Sequence, residues 1–380
     1  MSRFIIGSRA ALAAALRKQW WPSWGRAERI RALREELFLD ALFLVAQFPG
    51  GQIAEAGKCC YAYDVRLCAG LCRATWAEEA FWSGLVRVQS GPKKRTRLMR
   101  AAWRGDAARV AWLLARGAPE DAIDVNGSSA LHYACLHGYV AAVSALLAAG
   151  ADVDAAANDG ATPLFVAAQG GQVDAARALL AAGANVDAAN DDRATPLIAA
   201  SQNGHANAVR ALLAAGASIN AAASDGSTAL LIASMNGRTN IMRALFAAGA
   251  NVDAAADDFA TPLYVAAHFG RTDAVRALLA AGANVDAANV DGYTPLFMAA
   301  HGGHTDAVRA LLAAGADVEA GQNHGVRPLH IASSNSRAAA ATLLLDAGAA
   351  VNALTNAGRS PLAYATTHAM RALLIARGGV

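Results

Sequence analysis

Asn158 to Ala189 reads NDGATPLFVAAQGGQVDAARALLAAGANVDAA, and Asn289 to Ala320 returns it almost letter for letter as NVDGYTPLFMAAHGGHTDAVRALLAAGADVEA. With the threonine of TPL as the phase mark, equivalent positions fall at Thr96, Ser129, Thr162, Thr195, Thr228, Thr261, Thr294, Arg327 and Ser360, every step being 33 residues. A fixed period of this length defines an array of repeated units and overrides any reading of single segments. One such unit is too thin to bury its own apolar face, so its neighbours must supply the core.

Each residue type in the unit has a structural reason. Thr162 suits a helix N-cap, and Pro163 suits the first turn, where a missing N–H costs nothing. Leu164, Val166, Ala167 and Ala168 give this first helix an apolar face, and Gly171 ends it. A second helix over Val173 to Ala182 carries Ala176, Leu179 and Leu180 as its stripe, and Gly183-Ala184 stops it. Turn-rich fingers such as VDAANDDRA and VDAANVDGY lead to the next TPL.

Period, TPL, turn glycine and LLxxGA recurring together make residues 96–380 resemble the ankyrin repeat. The resemblance implies an all-α solenoid of about nine helix-turn-helix units with β-turn fingers, whose fingertips and first helices line a concave, partner-binding side. The first unit (Leu98 onward) lacks TPL and reads as an amino-terminal cap. The last keeps Ser360-Pro361-Leu362 but is about four residues short between its helices. It reads as the carboxy-terminal cap, with Leu373, Leu374 and Ile375 as its apolar face.

The chain before the array differs in composition. Residues 1–100 hold 17 Lys/Arg against 8 Asp/Glu, net +9, and residues 101–380 hold 16 against 22, net −6. All four lysines (Lys18, Lys58, Lys93, Lys94) precede the array, and all seven tryptophans lie at or before Trp112. A basic head on a mildly acidic array argues against a nucleic-acid groove in the repeats. No run reaches the ~18 apolar residues of a membrane span. Five cysteines, an odd number with Cys59, Cys60, Cys68 and Cys72 in the head, fit a reducing compartment, cytoplasmic or nuclear. Adjacent Cys59-Cys60 do not make a zinc knuckle, and Cys68 and Cys72 at i,i+4 suit a buried helix face.

Three segments divide the chain: 1–27, 28–90 and 91–380. Residues 1–27 carry Arg3, Arg9, Arg17, Lys18 and Arg26 with no acidic residue, which fits an organelle-targeting segment or a basic tail. Residues 28–90 are helical in pattern, and LFLDALFLVAQF, PGGQ, IAEAGKCCYAY and AEEAFWSGL together resemble an F-box. That resemblance places Leu39, Leu42, Ile53 and Trp82, with Leu44 and Cys59, on a surface for a Skp-family adaptor. It implies a substrate receptor of a cullin-RING ubiquitin ligase. The other reading of the head is a structural helical cap. The basic GPKKRTR at 91–97 is a linker into the array.

Specificity in a rigid repeat scaffold belongs to positions that vary while the core repeats. Arg193 and Phe259 stand at fingertips where other units carry Gly160, Gly226 and Gly292. That position favours φ > 0. First-helix ends vary through Met235, His268-Phe269 and His301, and Tyr293 precedes its TPL. Arg193, Met235, Phe259, His268, Phe269, Tyr293 and His301 are therefore the candidate contacts of a protein partner. Packing between fingers is the alternative use of these rings. His132 and His330 fit backbone-bonding positions within their units, and His301 and His304 do not form a metal pair. No phosphate loop, nucleophile elbow or paired carboxylate appears, so the expectation is a monomeric, cofactor-free, non-catalytic protein-binding scaffold.

Overall fold

The computed structural model describes residues 89–90 and 95–380. The tail at 1–27, the head cysteines and the F-box-like positions Leu39, Leu42, Ile53 and Trp82 lie outside the described residues. The chain divides into two compact units, residues 1–97 with 115–119, and residues 98–114 with 120–380. In the first, β1 (Gln89–Ser90) and β2 (Arg95–Thr96) pair antiparallel with Gln89 opposite Thr96.

Eighteen helices follow, two per repeat, and they account for the all-α character of the fold. They are α1 (Arg97–Trp103) and α2 (Ala107–Leu114), α3 (Ala130–Leu136) and α4 (Val140–Ala148), α5 (Pro163–Gln169) and α6 (Val173–Ala181), then α7 (Pro196–Asn203) and α8 (Ala206–Ala214). The series continues with α9 (Ala229–Met235) and α10 (Thr239–Ala247), α11 (Pro262–His268) and α12 (Thr272–Ala280), α13 (Pro295–Gly302) and α14 (Thr305–Ala313), α15 (Pro328–Ser334) and α16 (Ala338–Asp346), and α17 (Pro361–Tyr364) and α18 (His368–Ala376).

The threonines cap as their chemistry dictates. Thr162, Thr195, Thr228, Thr261 and Thr294 each hold extended backbone and accept the N–H three residues on through Oγ1, at 3.2–3.4 Å. Proline follows four of them at the first helical position. First helices pack on the first helices of adjoining units, and second helices on second helices. The repeated leucines make that core: Leu131, Leu164, Leu197, Leu230, Leu263, Leu296 and Leu329 are at most 2% exposed, and Leu146, Leu179, Leu212, Leu245, Leu278, Leu311 and Leu344 are fully buried. Each contributes about 1.5–3 kcal/mol of burial. Ala134, Ala167, Ala200, Ala233, Ala266, Ala299 and Ala332 are buried between helices, where only a small side chain permits close approach.

Some details depart from the sequence reading. Phe165 is buried and Val166 only partly so, because the helix turns residue 165 toward Ala161, which precedes its cap, and Ala199 on α7 of the next unit. On α6 the buried stripe is Ala175, Ala176 and Leu179, with Leu180 half-buried at its edge. In the last unit α17 itself is shortened to four residues. Met370 and Leu374 bury at i,i+4 spacing while Ile375 is left exposed. Cys135, missed as anything but a count, lies on α3 in the first-helix column otherwise filled by alanine or serine; it is fully buried, and burial pushes its thiol far up, so it is an inert core residue.

Candidate functional site

The fingers are positioned by backbone. Within one finger, Ala256 N–H donates to Ala260 O at 3.0 Å and Phe259 N–H to Ala256 O at 2.9 Å, closing a tight turn at 257–259. Between fingers a single ladder runs down the array: the N–H of Asn158, Asp191, Ser224, Asp257, Val290, Asn323 and Asn356 donates to the O of Asn126, Asp159, Asp192, Asp225, Asp258, Asp291 and His324, at 2.8–3.1 Å. A second set of bonds ties the finger bases. Asp154, Asp187, Asp253 and Asp286 accept the N–H of Asn185, Ser218, Asn284 and Asp317 in the following unit at 2.9–3.1 Å. The recurring aspartates are thus backbone acceptors that fix one finger against the next.

At the fingertip two columns are linked. A β-carbon at Gly127, Gly160, Gly226, Gly292 or Gly325 would lie 2.5–2.9 Å from the side-chain oxygen of Asn158, Asp191, Asp257, Asn323 or Asn356 in the next finger. Where the tip is not glycine, that next residue is neither Asn nor Asp. Arg193 is followed by Ser224, and Phe259 by Val290. Arg193 and Phe259 hold φ of 58° and 61°, within the left-handed region that glycine normally occupies. The paired change at 259 and 290 leaves two apolar side chains on neighbouring tips, 62% and 54% exposed.

The remaining candidates fall into two groups. Met235 is partly buried against Leu231, Ala260 and Val265, and Ala256 and Tyr264 pack on the same cluster. Tyr293 is half-buried, its ring 4.9 Å from that of buried Phe297. Further along the first helices, His268 and Phe269 stand edge to face with centroids 4.7 Å apart, and Phe269 is 45% exposed. His304 Nε2 lies 3.0 Å from His268 O, tying the two units, and His301 is exposed. Nδ1 of His268 is buried without a hydrogen-bond partner. Burial holds this imidazole below its usual range, and the neighbouring His301 and His304 press it further down. Arg193 stands apart from these residues, two fingers before Phe259.

Tyr264 went unnoticed in the sequence. It occupies the column of Phe165, Ile198, Leu231 and Phe297, and it alone among these carries a hydroxyl, the one signal that marked it. Burial raises its phenol above the ordinary value, and Asp258, Tyr293 and Asp291 add to the rise. Those groups therefore share one electrostatic neighbourhood. Among the described residues no three His, Cys, Asp or Glu side chains cluster to hold a metal ion, and no helix is long and apolar enough to cross a membrane.

Comparison with protein-family models matches the description "Ankyrin repeats (3 copies)" at residues 98–190, 183–256 and 255–322, and "Ankyrin repeats (many copies)" at 311–365. No curated protein matches the chain.

Proposed function

The chain belongs to the ankyrin-repeat family, whose arrays are protein–protein interaction modules, and we propose that this array is a non-catalytic scaffold holding a protein partner across its fingertips and first helices. The contact centres on the units beginning at Thr228, Thr261 and Thr294. One observation carries the reading: Phe259 adopts a glycine-type backbone conformation and still leaves its ring 62% exposed. Left-handed backbone at a bulky residue costs roughly 1–2 kcal/mol, and an exposed ring returns little burial to offset it. Exposed aromatic side chains on a rigid frame are the usual anchors of protein interfaces. Phe269, Tyr293, His268 and His301 extend the contact along the first helices, Met235 contributes its free edge, and Arg193 makes an outlying polar contact.

Photo-crosslinking tests the placement. A benzoylphenylalanine introduced at Phe259 or Phe269 should give discrete protein adducts in lysate of the source cells, whereas the same group at Arg243 on the second-helix side of α10 should not. Adducts from Arg243 alone, or from none of the three, would remove the reading.

The F-box-like pattern at residues 28–90 supports a narrower version, in which the head recruits a Skp-family adaptor and the array selects the substrate. Leu42→Asp with Ile53→Asp should then abolish co-purification of adaptor and cullin while leaving array adducts intact. Wild-type protein that recovers no adaptor from a eukaryotic lysate eliminates this version only.

A further inference from the structure

We propose that the fingertip pair at 257–259 and 290–293, with Tyr264, is a docking surface for a basic peptide segment that lays arginine or lysine side chains against aromatic rings. The inference rests on the binding role assigned above and adds the chemistry of the partner.

Backbone joins the two tips, the Val290 N–H donating to Asp258 O at 3.1 Å, and Tyr264 packs on the same apolar cluster as Ala256 and Ala260 of the Phe259 turn. Phe259 offers an exposed ring and Tyr264 and Tyr293 half-buried ones, beside exposed Asp258 and Asp291. Val290, exposed on the next tip, gives an apolar contact for a side-chain stem. Asp258 uses Oδ1 to accept the Ala260 N–H at 3.0 Å, and neither Asp258 nor Asp291 forms an ion pair among the described residues. Burial raises the Tyr264 phenol, and Asp258, Tyr293 and Asp291 add to the rise. Aromatic faces are negative and attract a guanidinium or ammonium group within about 6 Å. Unpaired carboxylates at the rim add a directional hydrogen-bond partner for arginine. The array's net charge of −6 over residues 101–380 favours approach of a cation from further away. An acidic segment would meet repulsion from each of these terms.

Other fingertips lack the combination. Asp159 stands beside Gly160, and Asp192 beside Arg193, which places a cation of its own there. The paired loss of glycine at 259 and of Asn/Asp at 290 is what sets a ring and an aliphatic side chain beside aspartates that recur at every tip from Asp159 to Asp291.

The probe is a fluorescein-labelled synthetic peptide of alternating arginine and leucine, titrated into the full-length protein by anisotropy, with a glutamate-for-arginine peptide as control. The arginine peptide should bind. Asp258→Asn with Asp291→Asn, which keeps the Oδ1 acceptor of the Ala260 N–H, should weaken it by about tenfold, and Phe259→Gly by a similar factor. Asp159→Asn with Asp191→Asn should leave affinity within about twofold, since diffuse charge alone contributes weakly at physiological salt. Equal loss in both aspartate pairs, equal binding of the glutamate peptide, or no binding of the arginine peptide would overturn the proposal. So would concentration-dependent dimerisation abolished by Phe259→Gly, which would assign the surface to a second copy. A crosslinked partner whose contacting segment is acidic would sink this inference and leave the scaffold reading intact. Arginine-peptide binding without any protein adduct at 259 would do the reverse.

Discussion

Phe259, Arg193 and Ser336 are the described non-glycine residues with positive φ, at 61°, 58° and 53°. The first two replace the fingertip glycine, and Ser336 replaces the inter-helix glycine found at Gly171, Gly204 and Gly237. The tip columns allow a sharp test. Installing Val290→Asn in the native background would set an amide oxygen within about 3 Å of the Phe259 β-carbon, a distance real contacts avoid, whereas with Phe259→Gly it would restore the arrangement of Gly292 with Asn323. The double-mutant cycle should therefore show coupling of about 1–3 kcal/mol, with Val290→Asn destabilising alone and neutral or stabilising beside Phe259→Gly. Additive melting shifts would mean that the two columns are independent. The sequence displayed the exceptional residues at 193 and 259, because a repeat exposes departures from its own pattern. It did not display their linkage to 224 and 290, which arises from a contact between fingers 31 residues apart.

At the level of elements, the helix caps carry a pH dependence. His132 and His330 sit in the first turn of α3 and α15, with Nδ1 accepting the N–H of Ser129 at 3.1 Å and of Arg327 at 3.2 Å. Accepting at Nδ1 leaves the proton on Nε2, which donates to Ala161 O at 3.0 Å and, in α15, to Ala353 O at 3.0 Å. Sequence reasoning expected bonding within the unit; the structure adds a bond to the finger of the next. Burial lowers both imidazoles despite the opposing carbonyl bonds, so the neutral form is the folded one. Because the folded value lies below the unfolded one, the unfolded chain takes up more protons as pH falls below about 6.5. The stability that the neutral rings provide is complete above that point and declines as pH drops toward the lowered folded value. Melting temperature should fall between pH 6.5 and 5, and the slope should flatten in His132→Phe with His330→Phe, even though those variants begin less stable. Equal slopes would show that carboxylates elsewhere set the acid response.

On the scale of the whole molecule, stability is a nearest-neighbour property: each unit meets the next through helix packing, the finger ladder and the aspartate bonds. Removing an internal unit should leave a folded, cooperative and somewhat less stable protein. Two deletions of equal length separate the tip rule from packing. Deleting 162–194 places Gly160 before Ser224, a compatible junction. Deleting 195–227 places Arg193 before Asp257, whose side-chain oxygen lies 2.6 Å from the point a β-carbon would take at its native neighbour Gly226. The first deletion should melt higher than the second in circular dichroism, and complete unfolding of both would contradict the modular account. The repeat architecture was legible because the same caps, leucines and alanines recur at one spacing. The site was legible only in part, since Tyr264 and Val290 matter through neighbours in adjoining units and look like ordinary apolar variation in the chain. The head's Leu39, Leu42, Ile53 and Trp82 rest on sequence pattern alone.

The central claim is that the ring of Phe259 is present for a partner and not for the fold. Its most direct test is a thermal melt of Phe259→Gly paired with a calorimetric titration of the partner identified by crosslinking, with Leu263→Ala as the reference. Leu263 is fully buried in the same unit, and its truncation should cost about 2–5 kcal/mol of stability. Phe259→Gly should melt at or above the native temperature while partner affinity falls by about 1–3 kcal/mol. A loss of stability comparable to that of Leu263→Ala, with affinity unchanged, would show that the ring serves packing between fingers and would contradict the account.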